Sequence, residues 1–459
     1  MSVTRDITLI GGGLAGALLA VRLARRGHAV SVFERRPDQR IIGYEGGRSI
    51  NLALAARGLA VLQDSELGEA VLQQAVAMRG RQVHPREGAT HFQPYGQNDS
   101  ECIWSVHRGR LNLLLLDAAE KAGARIHFLQ RLGEVDFEAR RAAMVDELTG
   151  QTRWIDFDAL IGGDGAGSAL RQAMTQPMNL HVDVEPLDHG YKELEIPPDA
   201  AGGFRIAREA LHIWPRGGYM LIALPNTEGT FTATLFLPHQ GADPSFATVT
   251  DAAGARAFFA REFPDALSLM PELAADWTEH PTSGLATLRL DRWHMDGRAV
   301  LMGDAAHAMV PFHGQGMNCA FEDVAALDQA MSEHIDLADA FAAFETERRP
   351  NAQAIQTMAL ENYIEMRDSV DDPEWRLQRQ LELALAKRHA GRFVPRYSMV
   401  SFTRTPYAVA FERGQRQRQL LIDATHGMSD LSAIDWSALD ARVTAEFSPL
   451  PQAWLAGAA

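Results

Sequence analysis

Residues 7–16 read ITLIGGGLAG, an apolar run that ends in closely spaced glycines. The run predicts a buried parallel strand. Glycines 11, 13 and 16 have the G-x-G-x-x-G spacing, in which the first allows a tight turn, the second lets the backbone approach a pyrophosphate, and the third allows close helix–strand packing. Helix-forming residues follow from 14 to 26, so the N–H groups at the helix start would face the phosphates. The residues predicted to form this dinucleotide site are Gly11, Gly13, Leu14, Ala15 and Gly16.

An acidic residue follows the second predicted strand, where dinucleotide-binding motifs have a carboxylate that binds a ribose hydroxyl. Residues 29–33 predict a second strand, and Glu34 follows at its carboxyl end. A carboxylate at this position binds a ribose hydroxyl and disfavours a 2′-phosphate, which favours FAD over NADP. The adjacent Arg35 and Arg36 leave NADP open on the residues alone. We count Arg35 with the candidate cofactor-binding residues.

Composition excludes several classes of function. A formal net charge of −15 argues against nucleic acid or an anionic membrane as partner, and an anionic substrate would need a local cation. The two cysteines, Cys102 and Cys319, give neither a disulfide framework nor a metal-binding spacing, which favours a reducing cytoplasm and no metal. We expect no signal peptide, because the N-terminus enters a strand directly, and no membrane span, because no apolar run approaches about 20 residues.

The order of predicted elements gives the fold class. Residues 1–175 alternate strand and helix patterns, which predicts a mostly parallel sheet, whereas residues 190–237 carry strands separated by turns. After Gly316 the pattern is helical, with predicted breaks near Pro350 and at 371–373 and 391–395. We therefore predict an α/β protein with a Rossmann-like FAD-binding domain (1–175 and 285–335), an inserted antiparallel-sheet substrate domain (176–284) and a helical C-terminal region (336–459).

Two more glycine-rich segments follow predicted strands. Residues 162–168 read GGDGAGS, a tight turn after which Ser168 can cap the next helix. Residues 303–307 read GDAAH, and residues 314–318 read GQGMN. Asp304 can bind a ribitol hydroxyl of a flavin, and a helix start after 314 can stabilise negative charge on the reduced ring. The residues at that helix start are Gly316, Met317 and Asn318, whereas His307 is predicted to be packed and without a catalytic role.

In this order, the three segments resemble the FAD-binding framework of the single-component aromatic hydroxylases, a family of flavin monooxygenases. The resemblance implies non-covalent FAD, a role for Asp164 towards both FAD and the passing nicotinamide, and contact between Arg108 and the FAD phosphates. No further complete G-x-G-x-x-G unit is present in the sequence for a resident NADPH domain. This suits a family in which NADPH is a transient co-substrate.

Other strings resemble one branch of that family, the kynurenine 3-monooxygenases. They are GRSINLAL (47–54), MRGR (78–81), QPYG (93–96), HGYKEL (189–194), VPFHGQGMN (310–318), ENY (361–363) and PRYS (395–398). The resemblance implies hydroxylation of L-kynurenine to 3-hydroxykynurenine, with NADPH and O2 as co-substrates. Because the substrate amine activates the ring carbon ortho to it, the protein's task would be to position the ring and exclude water.

The resemblance also implies roles for the substrate-binding residues. The kynurenine carboxylate needs a donor fork, which arginine supplies, and the motif match places Arg81 there. The Tyr95 hydroxyl would lie beside it, and Tyr397 would reach in from the C-terminal region. On the residues alone, Arg79 is a rival of Arg81, and the two tyrosines also suit surface or packing positions. The remaining candidates are Asn362 as a polar contact and Phe312, His313 and Met366 at the ring.

Three alternatives stay open on the sequence. They are a hydroxylase of another aromatic acid, such as an anthranilate- or benzoate-like compound, a reductase or halogenase on the same framework, and a non-catalytic FAD-binding partner protein. A halogenase string of the form W-x-W-x-I-P is absent from the sequence. The amphipathic residues 375–386 predict packing on the body or on a partner subunit, so a homodimer remains open. Residues 450–459 are expected to be too short for a membrane anchor.

Overall fold

The computed structural model describes residues 4–42, 51–96, 101–368 and 373–455. Its strands are β1 (Asp6–Ile10), β2 (Ala29–Glu34), β3 (Asn51–Leu54), β4 (Ala75–Met78), β5 (Gly80–Val83), β6 (His91–Pro94), β7 (Ile103–His107), β8 (Arg125–Phe128), β9 (Gln130–Asp136), β10 (Arg141–Asp146), β11 (Thr152–Asp156), β12 (Ala159–Gly162), β13 (Val182–Ile196), β14 (Ala210–Pro215), β15 (Met220–Pro225), β16 (Phe231–Pro238), β17 (Ser283–Leu290), β18 (His294–Met295) and β19 (Ala299–Leu301).

The helices alternate with strands in the first third and dominate the last third. They are α1 (Leu14–Arg25), α2 (Gln39–Ile42), α3 (Ala56–Asp64), α4 (Gly68–Leu72), α5 (Arg108–Lys121), α6 (Ala169–Met178), α7 (Ala252–Glu262), α8 (Pro264–Leu269), α9 (Leu273–Glu279), α10 (Asp304–His307), α11 (Gly316–Glu333), α12 (Leu337–Asp368), α13 (Pro373–Arg388), α14 (Arg396–Ser401), α15 (Tyr407–Thr425), α16 (Trp436–Glu446) and α17 (Gln452–Leu455). Short 3₁₀ turns cover Pro311–His313 and Leu431–Ala433. The predicted α/β class is confirmed.

The main sheet has six strands in the order β18-β19-β12-β1-β2-β8 and is parallel except for β18. Strand β1 is buried from Ile7 to Ile10, and α1 packs on it through Gly16. A Cβ at Gly16 would lie 2.1 Å from the carbonyl oxygen of Gly11, so only glycine allows this close approach. The predicted strand, turn and helix at residues 7–26 are therefore confirmed.

A seven-stranded sheet stands beside the main sheet, in the order β17-β13-β16-β15-β14-β5-β6. Neighbouring strands within this sheet are antiparallel, except β14 and β5, which are parallel. The sheet is wider than the predicted insertion at 176–284, because β5 and β6 come from the first 175 residues and β17 crosses residue 285. Strand β14 would otherwise leave its edge N–H and C=O groups unpaired, and these earlier residues pair with them.

The C-terminal region is helical as predicted, but the expected break at Pro350 is wrong. Pro350 lies inside α12, which is continuous over 32 residues. Fully buried side chains, among them Phe344 and Ile355, hold the helix on both sides of the proline, and Asn351 donates from Nδ2 to the Glu347 carbonyl at 2.8 Å. Tertiary packing thus outweighs the one backbone hydrogen bond that proline removes.

The other two predicted breaks have different outcomes. The break at 391–395 is confirmed, since it separates α13 from α14, whereas residues 371 and 372 lie outside the described residues. Leu381 and Leu385 of α13 pack within this chain in one cluster with Leu420 and Leu421 of α15, and Leu377 of α13 is also buried. Among the helices in the described ranges, none combines the length and apolarity that crossing a bilayer requires.

Candidate active site

One continuous cavity of about 800 Å³ connects the glycine-rich turn after β1 with the face of the seven-stranded sheet. Gly11, Gly13 and Glu34 line one end of it, and Arg81 and Tyr397 line the other. Of the predicted site residues whose side chains the structure describes, all but three line this cavity. Two of the three, Gly16 and Asn318, support the cavity wall from behind, and the third, Asn362, belongs to α12.

The glycine-rich turn leaves room for a ligand at one position. A methyl group at Gly13 would meet no atom of the described residues within 4 Å, although Gly13 lines the cavity and immediately precedes α1. No described side chain caps the start of α1, so its N-terminus is open to an anion. Beside it, Glu34 accepts a hydrogen bond from the Gly12 N–H at 2.8 Å, and Asn112 donates to the Gly12 carbonyl at 2.9 Å.

The second glycine segment presents a carboxylate to the cavity. Asp164 Oδ2 accepts from the Ala169 N–H at 2.7 Å, whereas the buried Oδ1 has no hydrogen-bond partner in the described part of the chain. Burial raises the pKa of Asp164. A ligand hydroxyl would satisfy Oδ1, which fits the sugar hydroxyls of FAD. Ser168 caps α6 as predicted, accepting from the Arg171 N–H at 3.0 Å.

The third glycine segment shapes the middle of the cavity. Asp304 is exposed to the cavity after Gly303, and a second glycine with positive φ, Gly314 at +65°, turns the chain into α11. Gly316 and Met317 line the cavity at the start of that helix. Asn318 instead ties the helix to β3, since it accepts from the Ala55 N–H at 2.9 Å and donates to the Ala53 carbonyl at 2.8 Å.

At the opposite end, an arginine is enclosed by two tyrosines. The Arg81 guanidinium carbon lies 5.7 Å from the Tyr95 ring centre and 5.2 Å from that of Tyr397. Burial raises the pKa of Tyr95 above its usual range, so its hydroxyl stays protonated. No carboxylate of the described residues forms an ion pair with Arg81, whereas the rival Arg79 is paired with Glu209 at 3.1 Å. The geometry therefore favours Arg81 as the anion-binding residue.

The ring-side candidates lie on the 3₁₀ turn before Gly314. His313 stacks on Tyr397 with ring centres 5.5 Å apart, and burial lowers the pKa of His313 to about 3, which keeps it neutral. The ring centres of Phe312 and Phe236 of β16 are 5.0 Å apart. Asn362 donates from Nδ2 to the Phe312 carbonyl at 2.6 Å, so it holds this turn in place and does not line the cavity.

Two sequence features fall outside this description. The backbone of Met366 belongs to α12, but its side chain lies outside what the structure describes. Residues 47–50, the first half of the string at 47–54, likewise lie outside the described residues.

Residues 4–359 match the family model described as FAD binding domain. Kynurenine 3-monooxygenase of Xanthomonas axonopodis pv. citri is 61% identical over 446 residues, covering 97% of this chain and 98% of that protein. The chain belongs to the kynurenine 3-monooxygenase family. The kynurenine 3-monooxygenase of Xanthomonas oryzae pv. oryzae is 60% identical over the same shares of both chains.

Solved structures support the fold of this family member. 2-Methyl-3-hydroxypyridine-5-carboxylic acid oxygenase superposes with a TM-score of 0.66 at 22% identity, over 81% of this chain and 94% of that one. Pseudomonas aeruginosa PqsL, solved with 2-aminobenzoylacetate, gives 0.65 at 21% identity, over 80% and 97%. At these identities the likeness shows the fold alone, which is that of the flavin-dependent hydroxylases.

The residues present fit FAD, the cofactor of this family. Among the described residues, the open space at Gly13, the uncapped start of α1 and the unpartnered Asp164 Oδ1 provide places for phosphates and hydroxyls. Other predicted cofactor residues line the same space: Leu14, Ala15, Arg35, Arg108, Asp304, Gly316 and Met317. No metal is assigned to the buried His307, Cys319 and Asp323, because the Arg348 guanidinium already donates to Asp323 at 2.8 Å.

Sequence reasoning missed the wall formed by the seven-stranded sheet. Alternate residues of β15 (Met220, Ile222, Leu224) and of β16 (Thr232, Thr234, Phe236) line the cavity. Their period of two was visible in the sequence and could have identified this face. What the period could not show is which of the two faces meets the cofactor domain.

Proposed function

We propose that this protein uses FAD, NADPH and O2 to hydroxylate L-kynurenine to 3-hydroxykynurenine. The observation that carries the proposal is Arg81, which forms no ion pair with a carboxylate of the described residues and is enclosed by Tyr95 and Tyr397 at the far end of the FAD cavity. It is supported by 61% identity to a kynurenine 3-monooxygenase over almost the whole chain.

Arg81 meets the need for a local cation in a chain of net charge −15. Its fork can hold the substrate carboxylate bidentately, and the protonated Tyr95 hydroxyl can donate beside it. Held in this way at its amino-acid head, kynurenine would extend its ring towards the turn at Phe312 and His313.

Among the described residues, the ring end of the cavity has aromatic and other apolar side chains. Phe312 and Phe236 provide aromatic walls, and the neutral His313 adds no cation. These walls exclude water and fix the orientation of the substrate ring. Positioning and water exclusion are the main contributions of the protein to the hydroxylation. Bound FAD supplies the redox chemistry with NADPH and O2. No side chain needs to act as a strong base, because the ring amine activates the carbon ortho to it.

The start of α11 would favour the anionic form of the reduced flavin. Gly316 and Met317 place the positive end of that helix at the cavity. The open turn at Gly13 would hold the pyrophosphate, and Asp164 and Asp304 would hold hydroxyls. NADPH would dock transiently beside Asp164, where the exposed Ala166 and its neighbours line the same cavity.

The decisive experiment measures NADPH oxidation by the FAD-loaded protein with and without L-kynurenine, with products identified by mass. Strong stimulation and a product heavier by one oxygen atom are expected. Stimulation that yields only hydrogen peroxide would make kynurenine an effector and not the substrate. Absence of stimulation would move the search to anthranilate- or benzoate-like acids.

Location and oligomeric state stay predictions. A reducing cytoplasm is supported by Cys102 and Cys319, which are both free thiols. Cell fractionation tests the compartment, and light scattering coupled to gel filtration tests the predicted alternative of a homodimer.

A further inference from the structure

A fully buried arginine outside the cavity connects the FAD-binding domain to the C-terminal helices. The Arg57 side chain on α3 has no solvent exposure, and it donates from Nε to the Val400 carbonyl at 2.9 Å. Its terminal nitrogen donates to the carbonyls of Met399 at 3.1 Å and Thr405 at 2.9 Å. Three carbonyls of one short segment thus converge on a single guanidinium.

The position of these carbonyls explains what Arg57 does. Met399 and Val400 belong to the last turn of α14, where helix carbonyls lack intrahelical partners and a cation is favourable. Arg57 also lies 3.8 Å from the ring centre of Tyr407, the first residue of α15. It therefore holds the end of one helix and the start of the next.

The helix that Arg57 caps carries Tyr397 in its first turn. Tyr397 contributes to the Arg81 end of the cavity and stacks on Tyr95 with ring centres 5.7 Å apart. The start of α14 is held separately, because Arg396 pairs with Glu361 of α12 at 2.5 Å. The helix is thus fixed at both ends, and Arg57 attaches it to the cofactor domain by hydrogen bonds, beside the packing of Met399 and Val400 in the main core.

A buried charge network keeps Arg57 in place. Glu322 of α11 accepts from Arg57 at 2.9 Å and from Arg348 at 3.1 Å. Arg348 also donates to Asp323 at 2.8 Å, and Asp323 accepts from the Gly303 N–H at 3.0 Å. Two arginines and two carboxylates thus balance each other directly behind the glycine segment that lines the cofactor cavity.

We propose that Arg57 is a positioning residue for substrate binding: by holding α14 against the FAD-binding domain, it fixes Tyr397 beside Arg81. The family model ends at residue 359, so the matched FAD-binding region does not include the segment that Arg57 holds. The inference rests on the proposed function only for the identity of the substrate.

The test compares Arg57→Met and Arg57→Lys with Arg413→Met as the matched control. Arg413 is also buried and donates to two backbone carbonyls, those of Arg392 and Ser448, but it does not contact α14 through them. Arg57→Met is expected to raise the KM for L-kynurenine at least ten-fold, with kcat changed less than three-fold and FAD affinity within two-fold. Arg57→Lys, which keeps the charge without the fork, should lie between wild type and Arg57→Met. Arg413→Met should lower Tm and leave KM within two-fold.

Hydrogen–deuterium exchange gives a readout that needs no substrate. Backbone amides of residues 396–405 should exchange faster in Arg57→Met, and to a lesser extent in Arg57→Lys, while those of α1 stay unchanged. An unchanged KM and unchanged exchange in 396–405 would overturn the proposal, as would an equal rise in KM in Arg413→Met. If Arg57→Met is insoluble, Arg57→Lys decides by the same two measurements. If wild type shows no kynurenine-dependent turnover, the proposed function fails, and exchange in 396–405 still decides the role of Arg57.

Discussion

At the scale of single residues, two arginines that are close in sequence differ in their position relative to the cavity. Arg81 lines the cavity between Tyr95 and Tyr397, whereas Arg79 pairs with Glu209 and is 40% exposed. An exposed ion pair of this kind contributes little to stability or binding. Of these two arginines, only Arg81 should therefore affect substrate affinity.

Arg81→Ala is expected to raise the KM for L-kynurenine at least 100-fold, because it removes the fork for the carboxylate from a water-poor cavity. Arg79→Ala is the control and should change KM less than two-fold. Steady-state kinetics measures KM, and the flavin absorption spectrum checks that FAD remains bound. Equal effects of the two substitutions would remove Arg81 from the site.

Gly13 and Gly16 should respond differently to the same added methyl group. At Gly13 the methyl meets no described atom within 4 Å, so Gly13→Ala should leave Tm of the FAD-free protein within about 2 °C and weaken FAD binding at least ten-fold. At Gly16 it meets the Gly11 carbonyl oxygen, so Gly16→Ala should destabilise the protein itself. Fluorescence titration with FAD and thermal unfolding measure the two effects. Unimpaired FAD binding by Gly13→Ala would contradict the placement of the pyrophosphate.

At the scale of elements, a histidine cluster joins the back of the seven-stranded sheet to its helical cover. His84, which follows β5, approaches His212 of β14 at 2.9 Å and Asp265 of α8 at 3.2 Å. Trp214 donates to the same Asp265 carboxylate at 2.7 Å. His212 also contacts the Ala207 carbonyl through Nε2 at 2.8 Å. The cluster thus depends on the protonation states of its members.

The cluster should make stability fall in mild acid. Burial lowers the pKa of His212 to about 4 from 6.5, so folding favours neutral His212. The stabilisation is complete above pH 6.5 and is lost as the pH falls towards 4, with an upper limit of about 3 kcal/mol. Asp265, whose pKa is lowered to about 2, retains its contribution until lower pH. Tm measured from pH 7.5 to 4.5 should fall less steeply in His212→Gln than in wild type, and identical slopes would contradict the assignment.

At the scale of the whole molecule, one cavity is shared by three parts of the fold. Gly11 belongs to the main sheet region, Phe236 to the seven-stranded sheet and Tyr397 to the C-terminal helices, and all three line it. A ligand that fills the cavity therefore stabilises parts of the chain that are far apart in sequence. FAD should act as an internal link between them.

FAD is expected to raise Tm in a concentration-dependent way. Binding only to the folded state at a concentration 100 times Kd adds about 2.7 kcal/mol. Differential scanning fluorimetry of FAD-free protein titrated with FAD measures the shift, and Gly13→Ala should show a much smaller one. A Tm that FAD leaves unchanged in wild type would argue against the shared cavity as the FAD site.

The sequence by itself determined the cofactor half of this protein. The glycine spacing at 11–16, the acid at Glu34 and the capping Ser168 act locally, and the structure places them in the predicted strand–turn–helix units. Such motifs are readable because backbone conformation and close approach depend on the identity of a few neighbouring residues. Family resemblance then indicated the substrate residues, whose roles in binding stay predictions.

Only the tertiary structure decided how the parts meet. It showed that β5 and β6 join the second sheet, that α12 runs through Pro350, and that Arg57 holds the helix carrying Tyr397. These features depend on contacts between residues distant in the chain, as between Arg57 and Val400, where packing and burial outweigh local preference. The local sequence around each residue does not indicate its distant contact partner. These features could therefore be identified only from the folded structure.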